Sequence, residues 1–549
     1  MDVVLVGLPG SGKSVVGRRL AARHGATFVD LDDAIERATG RTIPDIFAAD
    51  GEPAFRTLER RAVAELGPPD PSGAVRRVIS TGGGAPVDPR NRWLLYRGRV
   101  PVWLDGRPEV LAQRLRRSIH VRPLVQGRDP IGAIRELART RERFYAAGHR
   151  INGIPEVQGV VDAVDKVVAL GPAAGTILLR AATRIGEVTI GDGVAAATVS
   201  GVLHRLEARR AIVLSEPGAW SAAGGPVADR LAAEGWTVEQ VLLPQGEDAK
   251  RLAIVEDVAR ELARRRVERS EPIVAIGGGA LGDTAGFVAA TYQRGIPWIQ
   301  VPTTLVAQVD ASIGGKTAVD LPEGKNLVGA FHQPTALVLD VALLRTLPER
   351  QLRAALGECV KMAMLGDERL FVTLETDGPA IARGDASAFE SGAVAEVVER
   401  AAWAKIEVVS ADERETGAAA GRIALNLGHS LGHALEAADG YATLLHGEAV
   451  AFGLRAACRI GLALGVTPED RAARVERLLD RLELGVGGLP YPLDRVLDAL
   501  GADKKHARGR LRWVLPTAAG YEVRADVPDE LVAAVAADIL AGAPAAARA

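Results

Sequence analysis

The stretch Val3-Val-Leu-Val-Gly-Leu-Pro-Gly-Ser-Gly-Lys-Ser14 decides the fold of the first part of the chain. Its four leading apolar residues predict a buried parallel strand, and the following Val15 to Arg23 predict a helix. The loop between them fits the pattern G-x-x-x-x-G-K-S, in which backbone N–H groups surround phosphate oxygens at a helix N-terminus. Here Lys13 is expected to reach the β- and γ-phosphates of a nucleotide, and Ser14 to ligate Mg²⁺. The first part of the chain is therefore predicted to bind a nucleotide.

Two carboxylates and a glycine run follow the next predicted strands. Asp30 and Asp32 lie at the end of a short strand at 27–31, and open α/β sheets bind ligands at such carboxyl ends. The same carboxylates suit the N-cap of the next helix equally well, so both interpretations remain open. Gly83 follows a strand at 78–80, where the missing side chain lets a ligand approach the backbone.

Arginines form the other feature of this part. Arg56 lies in an amphipathic helix, where a solvated arginine is the plain interpretation, and Arg141 precedes Phe144-Tyr145. Arg122 belongs to a loop with the character of a lid. Phosphoryl transfer depends on positioning and charge stabilisation, which arginines around the phosphate and an anionic acceptor supply.

Taken together and in order, these motifs resemble shikimate kinase. The resemblance rests on the phosphate loop, Asp30-x-Asp32, Phe55-Arg56, Gly82-Gly-Gly84, Arg122-Pro-Leu and Arg141-x-x-x-Tyr145. It implies ATP-dependent phosphorylation of shikimate, with catalytic roles for Lys13, Asp32 and Arg141. It further implies that shikimate is held by Asp32, Arg56, Gly83 and Arg141, and that ATP is held by Gly10, Ser11, Gly12, Lys13, Ser14, Val15 and Arg122. Ser14, and Asp30 through water, would bind Mg²⁺. Val15 stands where the family usually has threonine.

A second glycine loop, Ile276-Gly-Gly-Gly-Ala-Leu-Gly-Asp283, follows another predicted strand. It departs from the G-x-G-x-x-G spacing, so a dinucleotide site and a simple tight turn both remain open. Beyond it lie Pro302-Thr-Thr304, the run Asp310 to Lys316, and Lys325-Asn326. Two lysines beside glycine and asparagine turns favour the binding of an anionic substrate.

Three of the nine histidines fall within 18 residues, 429–446, in the last third of the chain. His429 and His433 are four residues apart and share one helix face, while His446 follows a loop and could return to the same place. Spacing alone therefore predicts His429 and His433 as a ligand pair for a divalent metal. Glu358, on a helix of small and apolar neighbours, is expected to seek a cation, and with two histidines it completes a three-ligand catalytic site.

Residues 180 to 530 resemble 3-dehydroquinate synthase. The resemblance rests on matches at 277–287, 292–295, 302–305, 309–317, 325–326, 357–361, 425–433 and 446–450. It implies Glu358, His429 and His446 as ligands of Zn²⁺ or Co²⁺, which separates His433 from the metal and gives it to the substrate phosphate and to proton transfer. The implied NAD site comprises Glu247, Lys250, Gly279, Ala280, Leu281, Gly282, Asp283, Thr303 and Thr304, with Lys316 and Lys325 counted among the cofactor contacts. The implied substrate and catalytic residues are Asp310, Lys316, Lys325, Asn326, Lys361, Lys405, Arg422, Asn426, His433 and Lys505.

The implied reaction converts 3-deoxy-D-arabino-heptulosonate 7-phosphate (the heptulosonate phosphate below) to 3-dehydroquinate and phosphate. NAD removes and returns one hydride, so no net redox change occurs, and the metal is a Lewis acid. In the family the residue matching Arg294 reaches a neighbouring subunit's site, which implies a homodimer. Both resemblances belong to aromatic biosynthesis through shikimate.

Composition narrows the class of protein. The net charge of −2 gives the chain no overall positive potential that would attract nucleic acid. The sequence contains no run of 18 apolar residues, so no membrane span is predicted. Two cysteines fit a reducing, cytoplasmic location. We expect an α/β fold: a P-loop kinase with a parallel sheet at 1–170, a linker at 171–180, a Rossmann-like NAD-binding half at 181–340, and a mostly helical metal-binding half at 341–549.

Three alternatives remain at this point. The second part could be another sugar-phosphate cyclase with the same NAD and metal, although Lys405, Arg422 and Asn426 favour a carboxylated substrate. It could also be a metal-dependent polyol dehydrogenase. The first part could be a regulatory domain that binds nucleotide without phosphorylating shikimate.

Overall fold

The computed structural model describes residues 1–117, 129–154, 156–414, 421–506 and 511–542, with backbone only at 502–506. It divides into two compact units, one formed by 1–182 with 187–198 and the other by 183–186 with 199–549. Two predicted site residues fall outside this description, namely Arg122 and the side chain of Lys505. Among the described helices, none is long and apolar enough to cross a membrane.

The first unit is built on a five-stranded sheet whose strands are all parallel, in the order β2-β3-β1-β4-β5. The strands are β1 (Asp2–Val6), β2 (Thr27–Asp30), β3 (Arg77–Ser80), β4 (Val100–Leu104) and β5 (His149–Ile151). Strand β1 is buried along its whole length, as its continuous apolar run predicts. Apolar clusters on both faces of the sheet enclose it between helices.

In the described part of this unit, seven helices surround the sheet. They are α1 (Lys13–His24), α2 (Leu31–Thr39), α3 (Ile43–Ala64), α4 (Pro89–Tyr96), α5 (Pro108–Arg116), α6 (Pro130–Tyr145) and α7 (Val157–Val168), with a 3₁₀ turn at Ala85–Val87. Aspartates cap three of them, because their carboxylates accept the first free N–H groups: Asp30 for α2, Asp88 for α4 and Asp129 for α6. Helix α3 is kinked at Gly51, whose φ is 78°.

Two neighbouring strands and a helix follow: β6 (Thr176–Thr183), β7 (Gly186–Asp192) and α8 (Ala195–Arg205). Strand β6 occupies the second half of the predicted linker 171–180. The segment Thr176-Ile-Leu-Leu is apolar enough to be extended and largely buried, so only the small residues before it fit a linker.

The second unit contains five parallel strands in the order β14-β11-β10-β8-β9. They are β8 (Ala211–Ser215), β9 (Val238–Leu242), β10 (Ile273–Gly277), β11 (Trp298–Pro302) and β14 (Ala336–Asp340). From β8 the chain first adds β9 on one side and then β10 on the other. The order therefore reverses between β8 and β10, and a crevice opens at their carboxyl ends, where doubly wound sheets bind nucleotides.

Helices and short turns connect these strands. They are α9 (Pro217–Ala219), α10 (Gly225–Ala233), α11 (Leu252–Arg264) and α12 (Gly279–Thr291), with 3₁₀ turns at Gly246–Ala249, Tyr292–Arg294 and Val341–Thr346, and π-helical turns at Trp220–Gly224 and Ala307–Ala311. An antiparallel hairpin, β12 (Lys316–Leu321) with β13 (Gly324–Phe331), precedes β14.

The rest of the second unit is mostly helical. It comprises α13 (Glu349–Met364), α14 (Glu368–Ala382), α15 (Ala386–Glu390), α16 (Ala393–Ala411), α17 (His429–Asp439), α18 (His446–Ala463), α19 (Glu469–Arg481), α20 (Leu493–His506) and α21 (Asp529–Leu540), a 3₁₀ turn at Arg422–Asn426, and the hairpin β15 (Trp513–Pro516) with β16 (Tyr521–Arg524). Helix α13 is buried from Ala354 to Met364, which includes Glu358 and Lys361.

Candidate active sites

The phosphate loop of the first unit is closed by its own lysine. The Lys13 Nζ donates to the carbonyls of Gly7 at 2.8 Å and Leu8 at 3.1 Å, which curls the loop over the start of α1. Gly10 and Gly12 have φ of 82° and 92°, which side chains disfavour. Gly12 caps α1 without a side chain, so the helix N-terminus presents backbone N–H groups to an anion.

Asp30 serves at once as a helix cap and as a partner of the phosphate loop. Its Oδ1 accepts from the Asp32 N–H at 3.1 Å, which caps α2, and its Oδ2 accepts from the Ser14 Oγ at 2.6 Å. The two interpretations that the sequence left open are therefore compatible, because the carboxylate has an oxygen for each. Ser14 and Asp30 together offer a hydroxyl and a carboxylate of the kind that Mg²⁺ prefers.

Beside the loop lies a cluster of charges centred on Glu59 of α3. Glu59 is 1% exposed, and its Oε2 accepts from the Arg56 Nη1 at 2.8 Å. Burial raises the pKa of Glu59, while Arg56 and Arg141 oppose that shift. The Asp32 carboxylate adds a further negative charge close to Glu59. The two carboxylates lie so near each other that a side chain on Gly82 would meet both. The cluster therefore joins Asp32, Arg56 and Arg141 at one place.

Gly83 lies at the same place. Its carbonyl accepts from the Tyr145 hydroxyl, whose pKa burial raises to about 12. A side chain on Gly83 would press on Pro9 in the phosphate loop, so this glycine keeps the end of β3 next to that loop. The sequence-based interpretation uses Tyr145 only as part of a motif and does not include Glu59, although Glu59 could have been found three residues after Arg56 on the same helix face.

In the second unit, the crevice between β8 and β10 contains the second glycine loop. Residues Gly279 to Asp283 form the first turn of α12, and the Thr303 N–H donates to the Gly277 carbonyl at 2.9 Å. Glu216, directly after β8, is buried and its Oε2 accepts from the Gly246 N–H at 2.7 Å. Glu216 was not predicted, but its place at the end of the strand beside the switch point could have indicated it.

Lysines connect this crevice to the hairpin β12–β13. The Lys250 Nζ donates to the Asp283 Oδ2 at 2.8 Å and also to the Asn326 side chain. Burial raises the pKa of Asp283 to about 6, against the effect of Lys250. Lys325 lies 3.5 Å from the Glu247 carboxylate and 4.5 Å from the centre of the Tyr441 ring. Thr304 follows Thr303 at the end of β11.

A cavity of about 630 Å³ adjoins these lysines. Its predicted site residues are Asp283, Asp310, Lys316, Asn326, Lys361, Lys405, Arg422, Asn426, His429, His433 and His446. The Arg422 guanidinium donates to the Glu413 carbonyl. Arg294 is not among the lining residues; it is exposed on a 3₁₀ turn with φ of 66°.

Asp310 holds two lysines on one wall of the cavity. Its Oδ1 lies 2.6 Å from the Lys405 Nζ and 3.4 Å from the Lys361 Nζ, and its carbonyl accepts from Lys405 at 2.9 Å. Burial alone would raise the pKa of Asp310, but the two ammonium groups lower it. Asp310 thus holds two lysines side by side at the cavity.

Three helices bring Glu358, His429 and His446 together. The Glu358 Oε1 lies 3.5 Å from the His429 Nε2 and 3.3 Å from the His446 Nε2, and one donor atom from each residue lies within 4.8 Å of the others. Among the described residues neither buried Glu358 oxygen has a hydrogen bond, although Lys361 forms an ion pair with one of them. A carboxylate and two imidazoles with an under-satisfied buried oxygen form a donor set that suits Zn²⁺ or Co²⁺.

Glycines let the helices approach closely enough to form this cluster. A side chain on Gly357 of α13 would collide with the Gly447 carbonyl of α18, and one on Gly447 would collide with the Ala354 carbonyl. The contact between these glycines places their sequence neighbours Glu358 and His446 side by side. The sequence shows a glycine next to Glu358 and another next to His446, but only the structure shows that these glycines form the contact between the two helices.

Oxygen atoms next to the Nδ1 of His429 and the Nδ1 of His446 orient these two rings. The His429 Nδ1 lies 3.2 Å from the Leu427 carbonyl, and the His446 Nδ1 lies 3.2 Å from the Glu436 carboxylate, so each Nε2 faces Glu358. His433 is exposed, and its donor atom groups with Glu436 and His446 instead. His429 and His433 are stacked edge-on with centroids 5.1 Å apart.

The charges of the three donors depend on their surroundings. Burial would raise the pKa of Glu358, but Lys361 and the two histidines hold it well below its ordinary value. Burial and Lys361 lower the pKa of His429 to about 3. Burial also lowers that of His446, but Glu358 and Glu436 outweigh it and raise the pKa to about 10. A metal needs the neutral form of each imidazole, so the two carboxylates beside His446 make its metal binding depend on pH.

Comparison with known families identifies both units. The shikimate kinase model matches residues 9–154, and the N-terminal and C-terminal models of 3-dehydroquinate synthase match 240–354 and 355–506. The 3-dehydroquinate synthase of Jannaschia sp. (strain CCS1) is 40% identical over 383 residues, covering 67% of this chain and 99% of that protein. The chain belongs to the 3-dehydroquinate synthase family, fused behind a shikimate kinase.

Another curated relative and two solved structures are similar to the second part of the chain. The 3-dehydroquinate synthase of Halorhodospira halophila (strain DSM 244 / SL1) is 44% identical over 337 residues, which covers 61% of this chain and 91% of that protein. A structure of 2-epi-5-epi-valiolone synthase from Streptomyces hygroscopicus subsp. jinggangensis 5008, with NAD⁺ and Zn²⁺ bound, has a TM-score of 0.57 and 29% identity, covering 64% of this chain and 96% of that one. A structure of 2-deoxy-scyllo-inosose synthase with carbaglucose-6-phosphate, NAD⁺ and Co²⁺ has a TM-score of 0.56 and 26% identity, covering 65% of this chain and 97% of that one.

The fold expected for each unit is confirmed. The kinase part has its parallel sheet, and the synthase part joins a Rossmann-like half to a helical half. The fusion of the two enzymes is confirmed as well.

Proposed function

We propose that residues 1–170 phosphorylate shikimate with ATP and that residues 181–549 convert the heptulosonate phosphate to 3-dehydroquinate and phosphate. Family membership gives the chain both activities, and the division between the parts is our proposal. One observation carries the synthase assignment. The donors His429 and His446, each within 3.5 Å of Glu358, line the same cavity as the Asp310-bound lysines, so one substrate can meet metal ligands and anion-binding groups together.

In the kinase, the phosphate loop is proposed to hold ATP and the Glu59 cluster to hold shikimate. Arg56 and Arg141 are cations suited to the acceptor carboxylate, and Asp32 is a carboxylate suited to its hydroxyls. The hydrogen bond between Ser14 and Asp30 brings a Mg²⁺ ligand set next to Lys13. Because Glu59 is buried and bonded to Arg56, it orients that arginine before the acceptor arrives.

In the synthase, the crevice at α12 fits NAD and the three-donor cluster fits a divalent metal. NAD would be held by the residues from Gly279 to Asp283, by Thr303 and Thr304, and by Glu247 and Lys250. When bound, NAD accepts and returns a hydride, and the metal polarises a substrate oxygen. The neighbours with NAD and Zn²⁺ or Co²⁺ in their structures support both.

The side chains of the synthase are proposed to bind and orient the substrate around these groups. Lys361 and Lys405, fixed by Asp310, present two ammonium groups to anionic or hydroxyl oxygens. Arg422 and Asn426 complete a carboxylate site on the same cavity, and Lys316 with Asn326 suits the phosphate. His433 is exposed beside the metal donors, where its ring can hold or move a proton at the leaving phosphate.

A paired assay on the full chain tests the two activities. We expect phosphate release from the heptulosonate phosphate with catalytic amounts of NAD and a divalent metal, and ADP formation only when shikimate is added to MgATP. Steady production of NADH would instead indicate a polyol dehydrogenase. ATP binding without phosphorylation of shikimate would indicate a regulatory nucleotide domain.

A second cyclase activity is the alternative that the structural neighbours favour, because both are other cyclising synthases. Identity to 3-dehydroquinate synthases is higher, at 44% and 40% against 29% and 26%. The distinguishing measurement compares kcat/KM for the heptulosonate phosphate and for a heptulose phosphate that lacks the carboxylate. Equal values would contradict our choice of substrate.

A homodimer through the synthase is also proposed. Gln293 and Arg294 are two consecutive non-glycine residues with positive φ, at 49° and 66°, and strain of this kind persists where function requires it. Arg294 is exposed on this turn, so it can reach beyond its own subunit. Mixing Arg294→Ala chains with Lys361→Ala chains tests this, because a shared site would restore activity in the mixed dimer.

A cytoplasmic location completes the proposal. Cys359 and Cys458 are both free and buried, which fits a reducing compartment. Fractionation of cells that produce the chain would test it directly.

A further inference from the structure

Asp310 owes its position to a π-helical turn at Ala307–Ala311. The turn is closed by the Ser312 N–H, which donates to the Ala307 carbonyl at 3.1 Å, five residues back. Turns of this kind are rare and cluster at functional sites. Such a turn holds roughly four to five residues, so residues two apart point in nearly opposite directions. Asp310 faces the cavity, and Gln308 is therefore turned towards the sheet.

Gln308 is anchored beneath the turn. Its side chain is fully buried, and its Nε2 donates to the Pro302 carbonyl at 3.0 Å and to the Asp340 carbonyl at 2.9 Å. Pro302 is the last residue of β11 and Asp340 is the last residue of β14, and these strands are paired neighbours. One amide group thus ties the turn to the ends of two adjacent strands.

The two donated hydrogen bonds exhaust the N–H groups of this amide. The Gln308 Oε1 is buried and accepts no hydrogen bond within the described residues. A buried acceptor without a partner is energetically unfavourable. An apolar side chain of similar length would take this donor away from the Pro302 and Asp340 carbonyls, so the amide serves two strand ends while its own oxygen stays without a partner among the described residues.

We propose that Gln308 is a positioning residue of the synthase, which acts through Asp310. The amide fixes the turn against the sheet, and the turn sets the Asp310 carboxylate within 2.6 Å of Lys405 and 3.4 Å of Lys361. Without that anchor, Asp310 and both ammonium groups shift together. Among the described residues, Gln308 is neither a lining residue of the cavity nor a member of the metal-donor group. This inference rests on the proposed substrate-binding role of Asp310.

A double-mutant cycle on the full metal- and NAD-loaded chain tests the proposal. The variants are Gln308→Met, which keeps the length and removes both donors, Asp310→Asn, and the two combined. We expect Gln308→Met to lower kcat/KM for phosphate release about 10- to 100-fold, because ångström-scale misplacement has effects of that size. In the Asp310→Asn background the same change should add no more than about twofold, since residues that act as a unit are not additive.

Two controls separate positioning from folding. Gln240→Met makes the same change on β9, where the described residues give Gln240 no side-chain bond, and should leave kcat/KM as in the parent chain. Kinase activity and metal content should be unchanged in every variant. Gln308→Glu is the second variant: when protonated it can restore one of the two bonds, so it should lie between the parent and Gln308→Met.

Additive effects in the cycle, parent-like turnover of Gln308→Met, or loss of fold in both Gln308 variants would each overturn the proposal. These outcomes differ from a failure of the proposed function. In that case the parent chain itself would release no phosphate from the heptulosonate phosphate.

Discussion

The phosphate loop of the kinase and the metal cluster of the synthase differ in how their parts are distributed along the chain. The loop is one continuous stretch from Gly7 to Ser14, and its lysine bonds to carbonyls only five and six residues away. The metal donors come from three helices, between residues 358 and 446, and they meet because glycines let α13 and α18 touch. A local site is encoded by its motif, whereas a distributed site is encoded by packing.

The largest expected effect tests the distributed site at its donors. His429→Ala should abolish stable metal binding and lower synthase turnover by roughly 10³-fold or more, because several kcal/mol of charge stabilisation are lost. His433→Ala should retain the metal and still lose turnover. Metal analysis of the purified variants decides the matter, with kinase activity as an internal control. If the His433→Ala chain contained no metal, the ligand pair would be His429 and His433, as the spacing alone predicts.

The second test removes the local site. Lys13→Met should lower kinase kcat by about 10²- to 10³-fold, the size seen when one charge-stabilising donor is lost, and should leave phosphate release by the synthase unchanged. Val15→Thr, which restores the usual residue of the family at a half-exposed position, is the matched control and should be near the parent. A parallel fall of synthase activity in Lys13→Met would show that the units depend on one another.

Sequence reasoning reached the local features because the chemistry and the spacing coincide there. The strand, loop and helix around Lys13 follow from the apolar run and the glycines, and the family resemblances extend this to both folds. Spacing placed His429 and His433 on one helix face, and they do share it. Which of them faces Glu358 depends on where α13 crosses α18, and no property of the α17 sequence specifies that.

Buried partners were the features that sequence reasoning missed. In the sequence, Glu59 cannot be distinguished from the other charged residues of its helix. Only its 1% exposure in the structure marks it as a buried partner. Gln308 and Glu216 likewise have ordinary side chains in unremarkable sequence. Their importance comes from strands that end beside them, and strand order is a property of the whole sheet.

The third prediction tests whether the acceptor site of the kinase, like the metal site of the synthase, depends on the packing of residues from separate elements. Glu59→Gln keeps the shape but removes the charge that orients Arg56, at a cost of about 1–2 kcal/mol in acceptor binding. We expect the KM for shikimate to rise roughly 10-fold while the KM for ATP stays the same. Glu52→Gln changes the exposed partner of Arg56 and is the control. Equal rises in both KM values would argue against a role in orienting the acceptor.

The smallest expected effect concerns the loop that delivers His446. The Asp439 carboxylate accepts from the N–H groups of Ala442, Thr443 and Leu444, and from the hydroxyls of Thr443 and Tyr491. Burial would raise the pKa of Asp439, but these bonds lower it far below its ordinary value of 3.8. A depressed pKa stabilises the fold above pH 3.8, and this contribution is lost as the pH falls towards the folded-state value.

Asp439→Asn should therefore lower the unfolding free energy of the synthase by about 1–2 kcal/mol near neutral pH, measured by urea unfolding. The difference from the parent should stay constant from pH 8 to about 5 and shrink below 3.8, because the parent carboxylate is then losing the same charge. Metal affinity should fall less than about 10-fold, since Asp439 acts on His446 only through the loop. Asp538→Asn makes the same change at an exposed position of α21 and should alter neither quantity. A difference that persists unchanged into acid would mean that the aspartate contributes by shape alone, and the loop before His446 would then be specified by its backbone, as the phosphate loop is.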